Sequence, residues 1–227
     1  MKKLLFKEYR LCFNTVTLFF LPFVFMTLIP NYPYLVAFFF ACNSIFYSFA
    51  QAAVDNDLLF SSMLPVSKAD VVRSKCLFVV SIQAVYFLVF IPVLFLSHSV
   101  HPEGNSAGVD ACLSLLGEGL IVYAIFNSVF LPRFFKNSHK VGSSFLASVI
   151  AMFAWIAVAE GFMIACKAAS RFVPLFAWIS ENIGSFPISA SAWAAQCVYF
   201  SLCAILYAVL TVFACRRAIG HFEKVNL

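Results

Sequence analysis

NDLLFSSMLPVSKADVVRSK, residues Asn56 to Lys75, interrupts two strongly apolar runs and carries two helix-start signals. Asn56 can act as an N-cap and Asp57 suits a first helical turn, while Leu58, Leu59, Phe60, Met63 and Leu64 give a short helix an apolar side. Pro65 stops that helix. Ser67 then opens a second one, because its hydroxyl can cap the amides that follow and Asp70 completes an S-x-x-D variant of the capping box. Val71, Val72 and Leu77 lead into the next apolar run. The stretch therefore predicts a short helix, a proline break and a new helix that enters a membrane.

The flanking sequence accounts for the membrane. Of 227 residues, 63% are hydrophobic, 18% aromatic and only 11% charged, with a mean hydropathy of +0.95; ordinary soluble domains carry roughly 25% charged residues. Spanning segments consume nearly the whole chain, so we expect a single transmembrane unit over residues 1–227 and no sizeable soluble domain. The expected spans are 11–29, 34–54, 76–97, 111–131, 143–166 and 192–215. The first is longer than the roughly 7–15 residues of a signal-peptide core and no A-x-A pattern follows it, so it is expected to be retained. Pro30-Asn31-Tyr32-Pro33 makes a tight turn between the first two spans, and Asn43, Ser44, Ser48 and Gln51 give the second a polar side that suits other helices better than lipid. With the turn that starts at Ser67, the third becomes a helix of about 30 residues, roughly 45 Å long.

Every one of the fifteen Lys and Arg residues except Lys167 and Arg171 falls on one side of these spans. The positive-inside rule then makes both termini and the 56–75 loop cytoplasmic. Because the basic residues are scattered through short loops and not gathered in a stripe, the net charge of +5 reflects topology and no nucleic-acid partner is expected. Residues 1–12 read either as an amphipathic interfacial helix, with Lys3, Lys7 and Arg10 on one face, or as a plain basic flank. Residues 167–191 are apolar but broken by Pro174, Gly184 and Pro187, the pattern of an external re-entrant or interfacial segment.

Glu118 and Glu160 fall in the outer halves of the fourth and fifth spans. An ionised group in hydrocarbon costs on the order of 3 kcal/mol, so each must face a cavity, be protonated or be paired, with Lys167 the nearest candidate partner for Glu160 in sequence. Two readings stay open: a polar lining of a substrate path, or an intramembrane polar pair helped by close approach at Gly117, Gly119 and Gly161. His98 and His101 have an H-x-x-H spacing in a Gly-rich loop, which solvation explains more simply than a metal. Most of the eight cysteines read as small packing residues; Cys112 and Cys166 could meet at the outer surface. The chain has no H-E-x-x-H and no G-x-x-x-x-G-K-[ST] loop, so ATP-driven work would need a second polypeptide.

NDLLFSSMLPVSKADVVRSKCL resembles the internal loop between spans two and three of the membrane subunits of ABC exporters of the second type, a bacterial six-span family with a separate ATPase. LPRFFKNSHKVG, from Leu131, more loosely resembles that family's second internal loop. The resemblance implies an all-α permease of the bacterial cytoplasmic membrane that forms the substrate path as a dimer, with a second copy or a sister permease. Asp57, Leu58, Leu59, Phe60, Met63, Leu64 and Pro65 would then form a coupling helix seated on an ABC ATPase subunit. This chain would hold no cofactor and be no enzyme, ATP and Mg being bound by the partner. Two alternatives are a substrate-capture subunit of an energy-coupling vitamin importer, although the first span lacks that class's early A-x-x-x-A motifs, and a membrane-embedded enzyme built on Glu118 and Glu160.

Overall fold

The computed structural model describes residues 2–12, 19–105 and 107–224. Within them the chain forms eight α-helices and no strand: α1 Lys2–Cys12, α2 Val36–Val54, α3 Asp57–Met63, α4 Lys68–Val100, α5 Leu113–Lys136, α6 Val141–Ala169, α7 Pro174–Asn182 and α8 Ala190–Glu223. Two 3-10 helices, Leu21–Leu28 and Ser138–Lys140, complete the set. Five described helical segments, α2, α4, α5, α6 with the short turn before it, and α8, are long and apolar enough to cross a membrane.

The opening stretch folds largely as its residues dictate. Leu64, forced out of the helical region by Pro65, ends α3 in an extended conformation (φ −76°, ψ 152°). The Ser67 hydroxyl accepts the Asp70 amide at 3.1 Å and starts α4, whose 33 residues reach about 50 Å. Asn56 departs from expectation. It sits at φ 52° and makes no side-chain cap, because the tight turn from α2 into α3 needs a left-handed residue and Asn tolerates that conformation. Asn31 plays the same part at φ 58° in the Pro30–Pro33 turn.

The expected first span, residues 11–29, is not seen as one α-helix. Phe13 to Thr17 and the next residue lie outside the described residues, and Leu21–Leu28 is a 3-10 helix with Pro22 in its first turn. Pro22 supplies no amide and its ring crowds the carbonyl four residues back. Eight residues at about 2.0 Å rise cover roughly half the hydrocarbon core. The segment docks on the end of α4, where Ser97 donates to the Thr27 carbonyl at 2.7 Å and a His101 ring nitrogen meets the Leu28 carbonyl at 2.8 Å.

α5 is the central helix, with 72% of its apolar window enclosed against 17% for α8, its most extensive neighbour. Phe126, Phe130 and Phe134 repeat one turn apart on α5 and stack on each other, with Phe49 of α2 set edge-on to the last two. At Gly119 the ring of Phe38 occupies the space a Cβ would need, and that ring stacks at 4.0 Å on Phe90. Gly117 likewise faces α8, where an added Cβ would lie 3.5 Å from the Phe200 backbone. A Cβ at Gly161 would meet nothing within 4 Å, so this glycine permits no close approach among the described residues.

Polar side chains fasten the apolar bundle. Gln83 of α4 and Asn127 of α5 exchange amide hydrogen bonds of 2.9 and 3.1 Å, and α8 joins through Thr211, which accepts from Asn127 at 3.1 Å, and Tyr207, which donates to Gln83 at 2.8 Å. With no water in hydrocarbon, these partners are what makes burial of the two amides tolerable. On α2, Ser44 and Ser48 are buried as expected, but Gln51 is exposed and bonds Asp55 one turn on. The 167–191 segment contains the short helix α7, whose Leu175 and Trp178 are exposed while Ser180 is buried.

Candidate functional site

α3 has two opposed faces. Asp57, Leu58 and Ser61 are buried, whereas Leu59, Phe60 and Met63 are 41%, 56% and 73% exposed. Leu58 thus belongs to the core, a correction to the expectation that it would seat on the partner with Leu59 and Phe60; on this seven-residue helix Ser61 shares a side with Leu58 three residues before it and Asp57 four before it. Leu64 is half-buried and Pro65 exposed.

Among the described residues four charges hold the inner face. Lys75 of α4 donates to Asp57 at 2.7 Å and to Glu8 of α1 at 2.8 Å, while Lys7 of α1 reaches the other Asp57 oxygen at 2.7 Å, Ser61 at 2.5 Å and Glu8 at 3.2 Å. Glu8 is 0% exposed and Lys75 1%. Two cations and two carboxylates balance, and the balance is what lets them leave water. The Phe49 ring lies 5.7 Å from the Lys75 ammonium. Sequence reasoning placed Lys7 on a basic face and Lys75 among loop cations; the lone acidic Glu8 within the basic α1 was the available signal.

Burial alone would raise the Asp57 pKa, but the Lys75 charge and the contacts from Lys7 outweigh it and hold the carboxyl below its ordinary 3.8. A depressed carboxyl contributes stability at pH above its unfolded value and loses it as pH falls through the folded one. The wild-type unfolding midpoint in detergent is therefore expected to drop on acidification below about pH 4, with a shallower drop in Asp57→Asn. Equal slopes for the two proteins would refute the assignment.

At the opposite end of the bundle Glu160 does not pair with Lys167. Its oxygens accept the backbone amides of Leu35 at 3.3 Å and Val109 at 2.9 Å, so a side chain of α6 caps the start of α2 and ties down the 101–112 loop. Gly108, at φ 146°, brings its backbone against the Glu160 carboxyl. Lys167 instead bonds Asp110 at 2.8 Å and the carbonyls of Asn105 and Gly108 at 2.7 Å each. Gln196 closes this end by accepting from Leu113 at 3.2 Å and donating to the carbonyls of Asn182 and Ser185.

Glu118 has a different setting. Trp155 Nε1 donates to its Oε2 at 3.0 Å and the Tyr199 hydroxyl donates to its Oε1. It lines a cleft of about 300 Å³ between α5, α6, α7 and α8. Among the described residues no hydrogen bond joins Glu118 to Glu160, so the two do not form the polar pair considered from sequence. A second cleft, of about 290 Å³, separates α3 from the Ser138–Lys140 turn and is lined by Leu58, Leu59 and His139.

No group of three or more His, Cys, Asp or Glu residues able to hold a metal occurs among the described residues. His98 stacks on Phe186 at 3.6 Å while His101 turns to Leu28, and Cys112 and Cys166 are both free and buried.

A family model described as an ABC-2 family transporter protein matches residues 3–217, nearly the whole chain. The chain belongs to the ABC-2 transporter family. This ABC-2 protein is a membrane protein of transport, of a permease family whose members typically work with an ATPase subunit. Comparison of this ABC-2 chain with curated proteins and with solved structures found no match.

Proposed function

We propose that the chain is the membrane subunit of an ATP-driven exporter, lines the substrate path as a dimer with a second copy or a sister permease, and takes its motion from a separate ATPase through α3. The observation that carries this is the two-faced geometry of α3. Outward it offers Leu59, Phe60 and Met63, each gaining roughly 1.5–3 kcal/mol on burial in a groove. Inward it is clamped by buried charges to α1 and to Lys75, about two turns into the long α4, so a push on α3 moves α4 as a rigid body. The cleft beside His139 gives the partner an edge to grip. ATP and Mg belong to the partner in this reading. The basic ends face the cytoplasm of a bacterial cell, whose plasma membrane houses the chain. Family membership supports this over a vitamin-capture subunit or an enzyme built on the two glutamates.

The test is the double variant Leu59→Ala/Phe60→Ala, carried on exposed side chains that the fold does not need. Co-purification of the ATPase and substrate-stimulated ATP hydrolysis should fall at least tenfold while membrane insertion and the unfolding midpoint hold. Retention of both activities would mean that α3 merely rests on lipid.

A further inference from the structure

The Glu118 cleft holds a carboxylate whose described partners are two neutral donors. Both oxygens accept, from Trp155 and from Tyr199. None of the cleft's lining residues is Lys, Arg or His, and the walls are otherwise Val, Ala, Phe, Met and Ile apart from one hydroxyl. That hydroxyl, Ser114 Oγ, is buried, lines the same cleft and has no hydrogen-bond partner among the described residues. A negative charge in such a wall is costly until a positive one reaches it.

We propose that this cleft binds lipophilic monocations and that such compounds are the cargo class of the transporter. The ammonium or phosphonium centre sits against Glu118, with the Trp155 ring at hand for a cation–π contact. An N–H, where the ligand has one, satisfies Ser114. The apolar body fills the space between Val158 and Phe162, which are 63% and 51% exposed at the mouth, so ligand enters sideways from the outer half of the bilayer. The volume of about 300 Å³ is at the small end of ligand pockets and far beyond a bare ion. A lone carboxylate also falls short of the several oxygen ligands that a hard metal cation requires. Neutral ligands leave the charge uncompensated, and anions are repelled.

The cargo class rests on the transport reading, but the experiment needs no ATPase. The full chain in lipid nanodiscs is titrated with tetraphenylphosphonium and with tetraphenylborate, a pair matched in shape and opposite in charge, following Trp fluorescence and equilibrium binding above empty nanodiscs. Saturable binding of the cation alone is expected, reduced at least tenfold by Glu118→Gln. Val158→Trp, which fills the mouth from an exposed position, should block binding with the unfolding midpoint unchanged, covering the case in which the Glu118 variant fails to fold. Equal binding of the two ions, or full cation affinity in Glu118→Gln, overturns the proposal. A chain that passes the α3 test but shows no charge-selective binding loses the cargo class alone. One that binds the cation without engaging an ATPase keeps the site and loses the transport reading.

Discussion

Lys75→Met is expected to cost about 3–5 kcal/mol of stability, because it leaves Glu8 and Asp57 buried around the single remaining cation of Lys7. The midpoint of unfolding in detergent should fall sharply, and folded protein should be largely lost from membranes. Adding Glu8→Gln restores neutrality, since Lys7 and Asp57 remain paired at 2.7 Å. The double variant should therefore recover most of the loss, a coupling that only residues in one network show. A single-variant cost below about 1 kcal/mol, the ordinary value of a surface ion pair, would mean that water reaches the cluster.

The second large effect is expected from Gly108→Ala. The new Cβ would fall on Oε2 of Glu160, and the residue would have to hold φ 146°, a region that L side chains rarely adopt. Displacing the carboxylate also strips the Leu35 and Val109 amides of their acceptor. Together these cost on the order of 3 kcal/mol or more. In a Glu160→Ala background the same substitution meets no carboxylate, so its cost should shrink to the backbone part. If thermal unfolding gave the same penalty in both backgrounds, the contact would not be what constrains this loop.

What could be read from the sequence follows from how local its causes are. The Pro65 break, the Ser67 cap and the start of α4 depend on neighbours within a few residues, and all three appear where they were expected. The long apolar runs after residue 34 became helices for the same reason, with ends shifted by a few residues or, at the end of α8, about two turns. The 11–29 run was read by hydropathy, and Pro22 carried the contrary local signal that hydropathy ignores. Partners distant in sequence were not legible. Nothing near Lys167 favours Asp110 over Glu160, and nothing near Gln83 names Asn127. The Glu118 cleft was half visible: the carboxylate stood out in its span, but Trp155, Tyr199 and Ser114 are ordinary residues until three helices meet.

The charge clamp also imposes an order on assembly. Lys75 lies 67 residues after Glu8 and 18 after Asp57, so in a nascent chain that ends before Lys75 the described cluster lacks one of its two cations and sets Lys7 alone against Glu8 and Asp57. Until the start of α4 has been made, α1 and α3 have every reason to stay in water and none to bury their charges together. The helix that would carry work from an ATPase is thus fixed in place only once the helix it would move exists.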